Sequence, residues 1–205
     1  MKVALVGGTG SFGRAVARRL LAAGVDVVVG SRDAERAREV AAELGAEGAA
    51  NADAVRGADL VLLAVKADAA VTTARELREA IGATPVLSVA AELTFGRGGV
   101  KPTPEATSVA QRVQDELDAP VVAGLHSLAA SNLVEEPPDE DVLVCGDDAG
   151  AKALALELAG KISAGRAVDA GPLASARALE GMTAVIVNVN KRYKAHAGLR
   201  VTGLH

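Results

Sequence analysis

Met1-Lys2-Val3-Ala4-Leu5-Val6-Gly7-Gly8-Thr9-Gly10-Ser11-Phe12-Gly13 opens the chain. A short apolar run, Val3 to Val6, stops at glycines. A helix-like segment follows, then a second apolar run, Val25 to Val29, closed by Gly30-Ser31-Arg32. Strand, glycine turn, helix and strand fit within about 30 residues, the setting in which G-x-G-x-x-G carries meaning. Gly8 is expected to permit the tight turn. Gly10 is expected to let backbone approach a pyrophosphate with no Cβ in the way, and Gly13 to let the helix lie close on the strand. The helix starting near Ser11 then aims free N–H groups and its positive dipole end at the anion. The competing reading is a glycine-rich turn without a ligand.

The second strand indicates which dinucleotide. An NAD site usually carries Asp or Glu at this tip to hold the ribose 2′-hydroxyl, whereas an NADP site offers arginine. Here the tip reads Val28-Val29-Gly30-Ser31-Arg32, with no acid. Ser31 can donate a hydrogen bond, and Arg32 can form a charge-assisted pair with a 2′-phosphate. Arg36 follows one helical turn later and can face the same phosphate. The competing reading makes both arginines solvated and Asp33 the ribose ligand. Asp33 reads instead as the first residue of a helix, favoured there by the dipole. NADP(H) is preferred over NAD.

Composition narrows the class. The chain has 205 residues, half of them apolar, and a net charge of −4. It can bury one good core, in one or two domains. A mildly acidic chain without a basic cluster is a poor nucleic-acid binder. Cys145 is the single cysteine, so no internal disulfide forms and a reducing compartment is expected. The opening apolar run is too short for a signal peptide, and no stretch approaches the roughly 20 residues of a membrane span. The expectation is a soluble, cytoplasmic protein. Aromatic residues are only Phe12, Phe95 and Tyr193, so the core must be built of Ala, Val and Leu.

Strands and helices alternate up to about Pro120, the signature of a Rossmann-type doubly wound, mainly parallel α/β sheet. Expected strands are Lys2–Val6, Asp26–Val29, Glu47–Ala50, Asp59–Val65 and Thr84–Ser88. Expected helices are Ser11–Ala23, Ala34–Leu44, a short helix through Val55, and Asp68–Ala80. Residues 93–104 hold Gly96, Gly98, Gly99, Pro102 and Pro104, which break both periodicities. They are expected to form a lid over the sheet edge or a plain surface loop. Beyond them come a helix Glu105–Leu117, a strand Pro120–Gly124 and an acidic, proline-containing loop to Asp141. A strand Val142–Cys145, a helix Ala149–Ile162 and a strand Arg166–Asp169 precede a long apolar helix from Leu173 to Tyr193. A last strand near Leu199–Val201 completes the expectation. The boundary falls near Pro120: residues 1–119 form the NADP-binding domain, and 120–205 form a smaller C-terminal α/β part, continuous with the same sheet or separate. The apolar terminal helix is the expected face of a homodimer.

Few residues invite catalysis. Three histidines, widely separated and one of them the terminal His205, do not make a metal site. His126 follows a strand end beside Ser127 and reads either as a ligand-contacting group or as a hydrogen-bonded structural histidine. Cys145 reads as a buried strand residue, and Asp147-Asp148 as a helix cap.

Several phrases together resemble the coenzyme F420-dependent NADP oxidoreductases. They are the opening Met1 to Gly10, then Val28 to Arg32, Leu125-His126-Ser127, Val144-Cys145-Gly146-Asp147-Asp148 and Asp169-Ala170-Gly171-Pro172-Leu173. The resemblance spans nearly the whole chain. It implies reversible hydride transfer between nicotinamide C4 and deazaflavin C5. It implies NADP contacts at Thr9, Gly10, Ser11 and Phe12, at Ser31 and Arg32, and a basic residue where Arg36 stands. It implies nicotinamide-side contacts at Val65, Ser88, Ala129 and Ala130. F420 is then expected against His126 and Ser127, with the terminal segment at Ala197 closing the pocket. Lys66 and Ala67 depart from the family pattern, which has a proline and an aromatic there. Hydride transfer between two bound rings needs alignment rather than a nucleophile. The competing functions are another NADP-dependent reductase, acting on an imine or carbonyl and therefore needing a proton donor, and a non-enzymatic NADP(H) sensor.

Overall fold

The computed structural model describes residues 1–204, and its organising element is one eight-stranded sheet. The first half runs β1 (Lys2–Val6), α1 (Ser11–Ala22), β2 (Asp26–Ser31), α2 (Ala34–Leu44), β3 (Glu47–Ala50), α3 (Asn51–Ala54), β4 (Leu60–Leu63), α4 (Ala67–Ile81) and β5 (Val86–Ser88). A hairpin of β6 (Leu93–Gly96) and β7 (Gly99–Pro102) follows, then α5 (Val109–Gln114) and β8 (Val121–Gly124). The chain ends with β9 (Val142–Gly146), α6 (Ala149–Ile162), β10 (Ala167–Asp169) and α7 (Ala176–Tyr193).

The strand order is β10-β9-β8-β5-β4-β1-β2-β3. From β3 across to β8 every pairing is parallel, and only β8–β9 is antiparallel. The chain therefore steps outward from β1 in one direction, then jumps to β4 and steps outward in the other. In such a sheet a crevice opens between the carboxyl ends of the two central strands, here β1 and β4.

Both faces of the sheet are covered, which is why β1 and β4 read as unbroken apolar runs rather than alternating ones. Val3, Leu5, Leu60 and Leu62 pack with α1 and α6 on one side. Ala4, Val6, Val61 and Leu63 pack with α4, α5 and the start of α7 on the other. Each fully buried Leu or Val contributes about 1.5–3 kcal/mol.

Three expectations need correction. Residues 93–104 are not an irregular loop: Leu93 pairs with Pro102 and Gly96 with Gly99 in an antiparallel hairpin. Asn188 of α7 fastens it, receiving the Val100 N–H at 2.8 Å and donating to the Val100 carbonyl at 2.7 Å. The helix expected over Glu105–Leu117 covers only Val109–Gln114, because Ser108 and Gln111 form a capping box that fixes its start. The segment near Leu199–Val201 is not a strand. Asp141 N–H donates to the Leu199 carbonyl, but the Val201 N–H donates to the Asp141 carboxylate at 2.8 Å. A side chain stands where a ladder carbonyl would be, and pairing stops. Arg166 donates to both oxygens of that fully buried carboxylate, holding its pKa well below the usual carboxylate range.

Glu180 of α7 is 1 % exposed, between the Ala110 N–H at 3.3 Å and Arg177 at 4.0 Å. Burial pushes its carboxyl up to about 7. The unfolded state binds this proton only below about pH 4.5, so Glu180 costs the native state nothing there. Stability is lost as pH rises toward 7, where the buried group must ionise. Glu180→Gln is therefore expected to raise the melting temperature at pH 8 by about 3–6 °C and to leave it nearly unchanged at pH 4.5. Thermal unfolding followed by circular dichroism at the two pH values checks this.

Candidate functional site

A cleft of about 540 Å³ opens between the carboxyl ends of β1 and β4. Gly7, Thr9, Gly10, Ser31, Arg32, Asn51, Val65, Lys66, Asp68 and Thr73 are among its walls. The glycines in its floor differ in what they do. Gly7 has φ +81°, so the residue of this turn that takes the left-handed conformation is Gly7, next to the Gly8 expected to permit the turn. A Cβ on Gly8 would lie 2.9 Å from the Leu5 carbonyl, and one on Gly13 would lie 2.7 Å from the Gly8 Cα. Those two are demanded by close packing. Gly10 is not: a Cβ there would meet only the Gly7 carbonyl, at 3.4 Å, and its φ of −74° suits any residue. The space beside Gly10 faces the cleft.

Gly10 is also the N-cap of α1, with no side-chain cap and no acid in the first turn. The N–H groups and dipole of that turn are left for an external anion. At the far wall, Arg32 follows directly on β2 and has no carboxylate partner among the described residues. Asp33 does not compete for it. Its carboxylate accepts from the N–H groups of Glu35 at 3.0 Å and Arg36 at 3.1 Å, capping α2. The Ser31 hydroxyl accepts from the Asp33 N–H at 3.2 Å. Backbone amides at one wall and an unopposed guanidinium at the other suit a dinucleotide that carries an extra phosphate on its ribose.

The remaining expected site residues are distributed unevenly. Ser11 is exposed at the start of α1, and Phe12 packs partly buried against the same core as Ala130. Val65 lines the cleft. Arg36 does not line it, and its guanidinium is held by Glu39 at 2.9 Å. Ser88 is fully buried at the end of β5, its hydroxyl without a partner. His126 and Ser127 lie at the end of β8, against Leu143, Leu179, Met182 and Leu199. The chain enters this corner through Leu125 at φ +65°, a strained conformation for leucine. His126 Nε2 sits 3.3 Å from the Ala90 carbonyl, its Nδ1 has no partner, and Thr183 donates to its backbone carbonyl at 2.8 Å. Burial pushes the imidazole down to about 4, so it is neutral at pH 7.

Ala197 donates its N–H to Asn190 Oδ1 at 2.6 Å. Beside it, a second cleft of about 480 Å³ lies between Ser131, Asn132, Glu140, His196, Gly198 and Arg200. Ser131 and His196, the chain neighbours of Ala130 and Ala197, line this opening, which shares no wall residue with the cleft between β1 and β4. Cys145 is buried and its thiol is pushed up to about 11, so it is not a nucleophile at neutral pH. Asp148 caps α6 through the Ala151 N–H, while Asp147 accepts from the Leu173 N–H at 3.0 Å. No metal-binding cluster of His, Cys, Asp or Glu occurs among the described residues. His205 lies outside them. Sequence reasoning passed over Asn51, which belongs to no motif but follows β3 directly and lines the cleft.

Comparison with known proteins identifies the family. A family profile described as NADP oxidoreductase, coenzyme F420-dependent, matches residues 2–92. The F420-dependent NADP reductase of Methanothermobacter thermautotrophicus is 35% identical, over 100% of this chain and 96% of the relative. The enzyme of the same name from Methanocaldococcus jannaschii is 34% identical, over 100% and 99%. A solved structure from Arthrobacter sp. FB24, with a proposed F420-dependent NADP-reductase assignment, superposes with a TM-score of 0.86 at 26% identity, covering 99% of this chain and 100% of that one. A Streptomyces aurantiacus imine reductase shares the fold alone, at a TM-score of 0.65 and 22% identity over 95% of this chain and 62% of that one. By full-length identity to its curated relatives, the chain belongs to the coenzyme F420-dependent NADP oxidoreductase family.

Proposed function

We infer that the chain is an oxidoreductase that moves hydride reversibly between NADP(H) and the deazaflavin coenzyme F420. The observation that carries this is the end-to-end identity of about a third with reductases of that name. The cleft supports the first substrate: its amide cradle and its unopposed Arg32 suit a 2′-phosphorylated dinucleotide. When bound, the two cofactors supply the chemistry, hydride passing between nicotinamide C4 and deazaflavin C5. The protein's task is then to hold two rings in contact and keep water out.

Gly8 to Gly13 bind the pyrophosphate in this reading, and Ser31 and Arg32 bind the 2′-phosphate. Arg36 adds only an outer charge, since Glu39 engages it. Val65, Ser88 and Ala130 border the nicotinamide. His126, Ser127 and Ala197 border the deazaflavin. A neutral, buried His126 orients a ring by hydrogen bonding and does not deliver a proton as an acid. His126→Gln is expected to raise the KM for F420 about 3- to 10-fold and to leave the KM for NADPH unchanged. Initial rates with each substrate varied check this, and two unchanged KM values would remove His126 from the site.

Residues 1–119 serve the nucleotide and residues 120–205 the deazaflavin, both on one sheet. We assign a homodimer, with α7 as its face: Val185 there is 55% exposed, although Ala184 and Ile186 on either side are buried. A cytoplasmic setting follows from a single, buried, unpaired cysteine. No helix among the described residues is long and apolar enough to cross a membrane. An imine or carbonyl reductase is not favoured. It needs a proton donor at the reacting atom; His126 is neutral and enclosed, and the relatives matched end to end are F420-dependent NADP reductases.

The test is to mix NADPH with oxidised F420 and follow the loss of deazaflavin absorbance. Turnover is the expected result. Binding of NADPH without turnover would replace the reductase by a sensor.

A further inference from the structure

We propose that the Asn51 carboxamide binds the adenosine ribose of the nucleotide, accepting a hydrogen bond from the free hydroxyl next to the 2′-phosphate. The proposal rests on reading the cleft as the NADP(H) site. Asn51 is the first residue after β3, and β3 pairs with β2 so that Ala50 lies opposite Ser31. The next residue of each strand, Asn51 and Arg32, therefore leaves the sheet at the same edge, and both line the cleft.

Asn51 is 8% exposed, and its Oδ1 has no hydrogen-bond partner. Buried amide oxygens are rarely left so, and each one calls for an explanation. The backbone has made room for this side chain: a Cβ on Gly30 would come within 2.9 Å of Asn51 Oδ1. An alanine at position 30 would push the amide out of place. The orphaned atom is an acceptor, and a phosphate has no proton to give it at neutral pH. The ribose hydroxyl adjoining the 2′-phosphate does. With Arg32 on the phosphate and Asn51 on the sugar, the site reads two adjacent groups from two strand ends.

The two residues predict different selectivity. Arg32 senses only the phosphate, whereas Asn51 senses a hydroxyl that NAD also has. Asn51→Ala should therefore weaken 2′,5′-ADP and 5′-AMP alike, about 10-fold. Asn51→Asp keeps the size and the acceptor but sets a carboxylate beside the phosphate. It should lose 2′,5′-ADP by about 100-fold or more and keep 5′-AMP within about threefold.

Calorimetric titration of the full chain with these two nucleotides measures both, with melting temperatures as the folding control. Because Asp is nearly isosteric with Asn, that arm stands even if the alanine variant unfolds. Two outcomes overturn the proposal: either variant binding both nucleotides as the parent does, or Asn51→Asp losing both equally, the mark of a structural role. If the parent chain itself fails to bind 2′,5′-ADP, the reading of the cleft fails, and the proposal with it.

Discussion

Replacing Arg32 by alanine is expected to raise the KM for NADPH about 10- to 100-fold while NADH kinetics stay within about twofold. The size follows from a charged hydrogen bond, worth about 1.5–3 kcal/mol, and from tenfold per 1.4 kcal/mol. The selectivity follows from the neighbours. Asp33, the N-cap of α2 just beyond this tip, spends its carboxylate on the N–H groups of Glu35 and Arg36, so it neither neutralises Arg32 nor holds a ribose. Arg36 is paired with Glu39 and cannot take over without breaking that contact. Arg32 is exposed, so salt screens it, and the ratio between parent and variant should shrink as ionic strength rises. Steady-state kinetics with both nucleotides, at low and high salt, measure each part. Equal losses for NADPH and NADH would make Arg32 a structural residue.

The first 90 residues were legible because their signals are local. A glycine turn between two apolar runs fixes β1, α1 and β2. Asp33 before α2 and Gly45 after it, at φ +74°, mark that helix at both ends. The same holds for α6, which Asp148 caps. The misreadings share a different cause. The hairpin at residues 93–102 looks like broken loop in sequence, since only pairing across its glycines and the long-range grip of Asn188 on Val100 make it a sheet. The end of the chain looks like a strand, but the carboxylate of Asp141, 60 residues away, takes the bond a strand would use. The shortened α5 is a lesser case, because Ser108 and Gln111 carried a readable capping signal.

Site residues divide along the same line. Gly8, Gly10 and Gly13 belong to a motif that is readable by its spacing, Ser31 and Arg32 close the strand that follows it, and the structure places Gly10, Ser31 and Arg32 on one cleft. Asn51 belongs to no motif. It reaches the cleft because β3 lies beside β2 at the sheet edge, a fact of topology. The deazaflavin side was readable only by resemblance. Its residues in that reading, His126, Ser127 and Ala197, come from two distant segments that no periodicity links.

Gly10→Val should raise the KM for NADPH and for NADH together, by about 100-fold or more, and leave the melting temperature within about 2 °C. Gly13 cannot carry a Cβ, because the Gly8 Cα would lie 2.7 Å away, so Gly13→Ala should damage the loop itself and lower stability as well as binding. Gly10 has room for one, with its nearest neighbour at 3.4 Å and a φ of −74°. The fold therefore does not require glycine at that position, and whatever does require it must approach from the cleft. A valine there fills the path of the pyrophosphate toward the first amides of α1, a part common to both nucleotides, so the loss should not discriminate between them. The opposite patterns of Arg32→Ala, selective for NADPH, and Gly10→Val, blind to the difference, separate the two ends of the site. Should Gly10→Val bind both nucleotides as the parent does, the open space beside Gly10 would not be the phosphate cradle, and the dinucleotide would have to lie elsewhere in the cleft.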